Sequence, residues 1–139
     1  MKSKVVWKGG LAFTGSAEEG YLIPLDAKKA VGGHDLGFRP LQLLAIGLVG
    51  CTGMDVISIL QKKRQDVTDF EVTAEIKRAD QHPKVFTKIL ITYTVTGKNL
   101  DRDAVERAVE LSETKYCGAQ AMLKETAEIS HEIVIHQED

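Results

Sequence analysis

An uncharged apolar run in the first half of the chain constrains the fold most strongly. From Leu41 to Met54 the sequence reads LQLLAIGLVGCTGM, and the apolar character resumes at Val56–Leu60. Pro40 suits the first position of a helix, and the basic residues up to Arg64 suit a helix carboxyl end. The sequence therefore predicts a helix from Pro40 to about Arg64. Because this helix is apolar nearly all round, it must be covered on every side, which favours an intimate dimer.

The same run has to be compared with a membrane-spanning helix. Its uncharged part falls short of the roughly 18 residues that a spanning helix needs. A longer span would place Asp55 in the hydrocarbon, where an ionisable side chain is costly. We therefore expect a helix buried inside protein, and no membrane partner.

Length and charge exclude several other classes of protein. The 139 residues suit a single domain, 1–139, with its own core. Eighteen basic and twenty acidic residues give a net charge of −2, so nothing in the charge favours a nucleic-acid partner. Two cysteines are too few for a disulfide-rich secreted domain, and the chain opens without a secretory leader. We expect a cytoplasmic protein with free thiols.

The remaining elements are mostly strands. Short apolar runs at Lys4–Lys8, Leu11–Thr14 and Tyr21–Leu25, separated by glycine-rich turns, predict an N-terminal β-meander followed by a glycine-rich connector. Strict alternation in Phe70–Lys77 and Val85–Val95 predicts a long antiparallel hairpin with one buried face.

The last third adds helices and one strand. Asp101 is predicted to cap a helix whose apolar face includes Val105, Ala108, Val109 and Ser112. A short helix at Ala119–Thr126 and a strand at Glu128–Gln137 follow, and in that strand His131 is expected to be a core or interface residue. This order, without βαβ alternation, predicts an α+β fold with an antiparallel sheet.

The two cysteines are the candidate reactive groups. Cys51 lies in the apolar helix between glycines, and Cys117 lies at a helix break just before a new helix. A thiol near a helix amino end is favoured as thiolate, although a buried cysteine is also a common small hydrophobic residue. Neither cysteine has zinc-type spacing to histidine or a second cysteine. We expect no metal and no cofactor.

Two motifs in the chain resemble those of a known family. The helix that opens with Arg39-Pro40-Leu41-Gln42 and contains Gly50-Cys51-Thr52-Gly53-Met54-Asp55 resembles the central helix of the OsmC/Ohr family. Lys115-Tyr116-Cys117 resembles the context of that family's second cysteine, and the order of elements agrees along nearly the whole chain. The resemblance is closest to the small OsmC-like branch with a CTGMD-type motif.

This resemblance implies an interlocked homodimer in which sheets wrap around central helices and two sites lie at the subunit interface. It also implies a peroxidatic Cys51 and a resolving Cys117. The implied activity is reduction of organic hydroperoxides in oxidative-stress defence, with a lipoyl-type dithiol as reductant.

The sequence departs from the family peroxidases at two positions. They carry an arginine in the N-terminal strands and a glutamate after the helix-opening proline, whereas here no arginine precedes Arg39, and Leu41 and Gln42 follow Pro40. Arg39 is about 18 Å from Cys51 along one helix, so it either serves the partner's site or is simply solvated.

Gln42 is a possible supporting residue beside Arg39, and two other polar residues are candidates for a supporting role. His34, in the connector, either supplies the missing positive group or is an ordinary surface histidine. Asp55 shares a helix face with Cys51 and is expected to have a structural hydrogen-bonding role.

Two alternatives to a peroxidase therefore stay open. One is a binding module for a small hydrophobic ligand on the same scaffold, with weak or absent peroxidase activity. The other is an inert structural dimer. The absence of the family arginine and glutamate from their usual positions favours the binding module.

Overall fold

A computed structural model describes all residues from Met1 to Asp139. The chain divides into two compact units, Met1–Ile46 and Gly47–Asp139. A single domain over 1–139 therefore stays a prediction.

The first unit contains the predicted meander. Strands β1 (Ser3–Trp7), β2 (Phe13–Ala17) and β3 (Leu22–Leu25) form an antiparallel sheet in sequence order. Strand β2 extends through Gly15, which the sequence assigned to a turn. A Cβ at Gly15 would lie 3.1 Å from Leu25 Cδ1, so glycine leaves room there for side chains of the neighbouring strand.

A buried carboxylate organises the connector that follows β3. Asp26 is 3 % exposed, and its two oxygens accept hydrogen bonds from the backbone N–H groups of Ala27, His34 and Leu36 at 2.7, 3.1 and 3.2 Å. A Cβ at Gly33 would lie only 2.0 Å from the carbonyl oxygen of Ala27. The connector is therefore held by backbone contacts that require glycine at this position.

Helix α1 (Pro40–Lys62) is the long helix that the apolar run predicts. It ends two residues before the predicted Arg64, which adopts a left-handed conformation with φ of 58°. Four residues, one on each turn, are buried: Leu48, Thr52, Val56 and Leu60. A single stripe of α1 is therefore packed inside this chain.

By length and composition alone α1 could cross a membrane. Only 22 % of its most apolar 18-residue window is buried within the chain. The core helix of a protein that buries it against a partner passes the same test. The expectation that α1 is covered by protein stays a prediction.

The second unit contains the predicted hairpin. Strands β4 (Asp66–Arg78) and β5 (Phe86–Lys98) pair antiparallel, with Val72 opposite Tyr93. A register irregularity between Lys77 and Arg78 shifts the start of β5, so Phe86 is buried and Val85 is exposed, the reverse of the predicted alternation.

The predicted final strand is present, but its pairing differs from the prediction. Strand β6 (Glu128–Glu138) runs parallel to β5, with Ile133 opposite Tyr93, and completes the order β4-β5-β6. The α+β class is confirmed, whereas an entirely antiparallel sheet is wrong for β6. Helices between β5 and β6 return the chain to the end of the sheet where β5 began, and a parallel pair needs such a connection.

Those helices are α2 (Arg102–Leu111) and α3 (Gly118–Leu123), joined by a π-helical turn at Ser112–Tyr116. The predicted cap is confirmed, because the Asp101 side chain accepts a hydrogen bond from the backbone N–H of Asp103 at 3.0 Å. The predicted apolar face of α2 is also buried, because Val105, Ala108, Val109 and Ser112 are each 0 % exposed. Ala104 is buried beside them. Helix α3 is shorter than predicted at its carboxyl end.

Candidate active site

Helix α1 provides two side chains of the candidate site from one of its faces. Cys51 and Asp55 are four residues apart, so they lie one above the other on the helix surface, and both are half-buried. Thr52, between them, belongs to the buried stripe and is 0 % exposed. The buried stripe of α1 therefore lies next to the helix face that carries Cys51.

Cys117 lies between helices α2 and α3 of the second unit. It is the N-cap residue of α3 and has an extended backbone, with φ of −76° and ψ of 103°. Its Sγ accepts a hydrogen bond from the backbone N–H of Gln120 at 3.3 Å, as the side-chain oxygen of a usual N-cap does. The predicted position at the amino end of a helix is confirmed.

The fold brings these residues together. The sulfurs of Cys51 and Cys117 and a carboxylate oxygen of Asp55 all lie within 4.8 Å of one another. Both cysteines are free, and Cys117 is only 3 % exposed, whereas Cys51 is half-buried. One sulfur is therefore reachable from solvent while the other is enclosed.

Burial raises the pKa of the Cys117 thiol to about 11, because the charged form loses its hydration. The hydrogen bond from the Gln120 backbone lowers the pKa in part, and charge on the nearby Cys51 sulfur raises it again. Cys117 is consequently a neutral thiol at physiological pH.

A buried polar network lies beside the thiols. The hydroxyl of Thr52 is 2.7 Å from those of Tyr93 and Ser112, and Gln120 Nε2 donates to Thr52 at 3.1 Å and to Tyr93 at 3.3 Å. All four residues are at most 4 % exposed. Ser112 in turn donates to Asp55 Oδ2 at 2.9 Å.

The carboxylate orders the hydrogens of this network. A carboxylate only accepts, so the Ser112 hydroxyl donates to Asp55 and must accept from Thr52. Thr52 then accepts from the Tyr93 hydroxyl. Every donor in the network points toward Asp55, which fixes the position of its carboxylate next to the two sulfurs.

The Tyr93 hydroxyl stays protonated in this setting. Burial raises the pKa of Tyr93 to about 12, against the opposing effect of the hydrogen bond to Thr52. The charge on Glu113 raises it further. Tyr93 is thus a permanent donor to the network.

Sequence reasoning did not identify Thr52, Tyr93, Ser112 or Gln120 as site residues. The available signal was a polar side chain at a position whose periodic neighbours are apolar. Ser112 follows the apolar face of α2, and Tyr93 stands among the isoleucines of β5. Such residues require a buried hydrogen-bond partner, although the sequence does not say which one.

Two of the proposed supporting residues take part in contacts at the start of α1. Arg39 forms an ion pair with Asp35, and its Nη1 donates to the Gly37 carbonyl at 2.8 Å. Gln42 Oε1 accepts from the Arg39 backbone N–H at 2.9 Å, which is the reciprocal bond of a capping box. A role for Arg39 or Gln42 at the thiols stays a prediction.

The histidines have local partners as well. The backbone N–H of His34 donates to Asp26 within the connector, and His34 is exposed. His131, expected to be a core or interface residue, is exposed at the side chain, and its Nδ1 lies against a carboxylate oxygen of Glu113. Its ring meets Tyr93 edge-on, with the ring centres 6.2 Å apart.

Comparison with known proteins shows the family of the chain. The family model described as "OsmC-like protein" matches residues 32–132, which is more than half of the chain. The chain belongs to the OsmC-like family. Protein YhfA of Escherichia coli K12 is 39 % identical over 131 residues, covering 94 % of this chain and 95 % of YhfA.

Solved structures share the fold over almost the full length. A hypothetical protein from Aquifex aeolicus is 30 % identical, with a TM-score of 0.87 over 99 % of this chain and 97 % of that one. The organic hydroperoxide resistance protein OhrB of Bacillus subtilis is 21 % identical, with a TM-score of 0.63 over 96 % and 98 % of the two chains. The predicted OsmC-like fold is confirmed.

Proposed function

We propose that this OsmC-like protein is a thiol-dependent hydroperoxide reductase in which Cys51 reacts with the peroxide and Cys117 resolves the product. The main support is that the two sulfurs lie within 4.8 Å of each other, although the cysteines belong to different elements far apart in the sequence. A small local movement brings such a pair to disulfide distance.

The surroundings of each sulfur support different roles. Cys51 is the accessible sulfur, so it meets the peroxide. Cys117 is enclosed, and its raised pKa keeps it protonated until Cys51 is oxidised. A reactive first sulfur and a protected second one suit a two-cysteine cycle.

In the first step the Cys51 thiolate attacks the outer oxygen of the hydroperoxide. The O–O bond breaks, the alkoxide leaves and takes up a proton to become an alcohol, and Cys51 becomes a sulfenic acid. The Cys117 sulfur then attacks Cys51, water leaves with the Cys117 proton, and a disulfide forms. An external dithiol reduces the disulfide by two exchange steps and is itself oxidised to a disulfide.

The substrate class in this proposal is an organic hydroperoxide. Next to Cys51 on α1 lie Gly50, Gly53 and the exposed side chain of Met54, so the approach to the sulfur is largely apolar. The structural neighbour from Bacillus subtilis is named for organic hydroperoxide resistance. A lipoyl-type dithiol as reductant and a reducing cytoplasm as location, where both cysteines return to thiols, complete the proposal.

Peroxide consumption tests the assignment. Wild-type protein with dithiothreitol should consume cumene hydroperoxide faster than hydrogen peroxide, and Cys51→Ser should lose this activity. Cys117→Ser should complete one turnover and then stop. The double variant Cys51→Ser/Ser130→Cys, which has an exposed thiol elsewhere in the chain, should not regain peroxide consumption. Full activity in Cys51→Ser would overturn the proposal.

The proposal includes a homodimer. Large apolar side chains are exposed along the unburied sides of α1, among them Leu44, Ile46 and Met54 at 53, 50 and 73 %. Such exposure on one helix is more than an ordinary monomer surface carries. Sedimentation should give twice the chain mass of 15.3 kDa. Ile46→Glu should shift the protein toward monomer, while Gln61→Glu, at an exposed polar position, should not.

A second candidate function is binding of a small apolar ligand. It is favoured by a groove of about 620 Å³ in the first unit, lined by Val5, Tyr21, Ile23, Leu25 and Leu43 among others. Arg39, already paired with Asp35, adds to this support, since its charge is engaged elsewhere. Binding of an apolar dye by a wild-type protein that consumes no peroxide would favour this candidate.

A further inference from the structure

The cluster of Cys51, Asp55 and Cys117 has a property that peroxide chemistry does not use. Two thiol sulfurs and a carboxylate oxygen, each within 4.8 Å of the others, form three potential ligands around one point. The sequence spacing showed no metal motif, because the third ligand comes from a different helix. The tertiary structure therefore creates a donor set that local spacing did not reveal.

The separations fit a tetrahedral ion. With metal–sulfur bonds of about 2.3 Å and metal–oxygen bonds of about 2.0–2.2 Å, neighbouring ligand atoms of a zinc site lie roughly 3.5–3.8 Å apart. The present limit of 4.8 Å is within about 1 Å of that spacing. Asp55 is held by Ser112, so rotation of the half-buried Cys51 side chain is the movement that shortens these distances.

The surroundings resemble those of a supported metal site. Ser112 donates to Asp55 Oδ2 and leaves the other carboxylate oxygen without a hydrogen bond. The backbone N–H of Gln120 donates to the sulfur of Cys117, a residue that is 3 % exposed. Hydrogen bonds to ligand atoms from a second layer of residues fix their orientation in metalloproteins.

The charge of the cluster also points to a cation. None of the four close contacts between a carboxylate and an arginine or histidine nitrogen involves Asp55, so no cationic side chain neutralises it. Two thiolates and a carboxylate together carry three negative charges, which a divalent ion offsets in part. Thiolate ligands select zinc-like ions over magnesium or calcium.

We propose that Cys51, Asp55 and Cys117 bind one thiophilic divalent cation, Zn²⁺ or an ion of similar chemistry, with a fourth position open to solvent. Binding displaces the thiol protons to solvent as the two sulfurs become thiolates. A bound ion occupies the sulfur that a peroxide would attack, so the reduced protein is inhibited while the ion is present. The coordination itself needs only reduced thiols and does not depend on the proposed reductase activity.

Cobalt(II) is the spectroscopic probe for this site. Reduced, metal-free protein should bind one Co²⁺ per chain and develop a thiolate-to-cobalt band together with the intense visible bands of four-coordinate cobalt. Zn²⁺ should bleach both sets of bands. Cys51→Ser and Cys117→Ser should each abolish the two-thiolate spectrum.

The carboxylate and its hydrogen-bond donor separate a built site from a simple dithiol. Asp55→Asn keeps both thiols, and we expect its Zn²⁺ affinity to be lower than that of the wild type by at least about tenfold. The Zn²⁺ affinity of Ser112→Ala should be lower by about 10–100-fold. Glu113→Gln removes a neighbouring carboxylate that pairs with His131, and its affinity should be unchanged. Far-UV circular dichroism checks that each variant is folded.

A second measurement uses only wild-type protein. Saturating Zn²⁺ should slow alkylation of both cysteines by iodoacetamide, and a chelator should restore the rate. Equal Zn²⁺ affinity in Asp55→Asn and wild type, or unchanged alkylation, would overturn the proposal and leave an adventitious ion only. Peroxide consumption of the metal-free protein is assayed separately, so failure of the reductase proposal and failure of this one are distinguishable.

Discussion

The two compact units of the molecule use their residues in opposite ways. In Met1–Ile46 the only buried residues are Gly15, Asp26 and Gly33, and strand β1 is exposed along its whole length. In Gly47–Asp139 a contiguous set of large apolar side chains is fully buried, from Val56 and Leu60 of α1 to Tyr93 of β5. One unit is held by backbone contacts and the other by a hydrophobic core.

This difference shows where each unit obtains its stability. A sheet that buries no large side chain gains little from the hydrophobic effect, so an apolar face such as that of β1 is stabilised mainly when a second surface covers it. The second unit needs no such help for its core. The two cysteines of the candidate site lie in this second unit, where packing holds their positions.

The largest expected effect comes from matched leucine truncations in the two units. Leu60→Ala removes a fully buried side chain and should lower the free energy of unfolding by about 2–5 kcal/mol. Leu22→Ala removes a side chain that is 72 % exposed and should change it by no more than about 0.5 kcal/mol. Urea unfolding of dilute protein measures both values. Equal losses would break the comparison, because they would place Leu22 in a covered surface in solution.

A smaller effect is expected inside the polar network of the second unit. Thr52→Val keeps the shape of the side chain but removes the acceptor of the buried Tyr93 O–H. Ser112 keeps its bond to Asp55, and Gln120 keeps its bond to Tyr93. We expect a loss of about 1–3 kcal/mol in the free energy of unfolding, the usual cost of an unsatisfied buried polar group. Thr73→Val, at an exposed position of β4, is the control. Identical stabilities of the two variants would mean that the network adds nothing to the core.

The smallest effect is expected in the first unit and depends on pH. Hydrogen bonds from the backbone, that of Ala27 foremost, hold the pKa of Asp26 below its ordinary 3.8. The charged form therefore stabilises the folded unit above pH 3.8, and this contribution disappears as the pH falls through the lower folded value. Asp26→Asn should lack this dependence.

The fluorescence of Trp7, the single tryptophan, reports the first unit during unfolding at each pH. The stability difference between wild type and Asp26→Asn should shrink as the solution is acidified below pH 3.8. A difference that stays constant through this range would contradict the role given to the Asp26 carboxylate.

Periodicity in the sequence predicted the elements of the fold well. The limits of α1, the cap at Asp101 and the alternation in β4 depend on near neighbours, so a local pattern carries them. The parallel pairing of β6 could not be predicted in this way, because the direction of the strand depends on the end of the sheet to which the preceding helices return the chain. Phe86 is buried in place of Val85 because of a register irregularity, which has no recognisable pattern in the sequence.

The sequence identified the two cysteines and Asp55 as candidates, but not the four residues of the polar network. Asp55 accepts a hydrogen bond, as expected, whereas its closeness to Cys117 could not be predicted, because it depends on how α3 packs against α1 within the second unit. Gln42 illustrates the opposite case. Its bond to the Arg39 backbone follows from a three-residue spacing at a helix start, which sequence alone could have identified.

The amino-acid order by itself determined the long helix, the strand alternation and the cap, since each follows from side chains within a few residues of one another. Only the tertiary structure decided that a carboxylate oxygen and two sulfurs lie within 4.8 Å of one another. It also decided that a network of four buried polar residues orients the carboxylate. The physical reason is that these contacts join positions far apart in the chain, whose distances are set by the packing of whole elements.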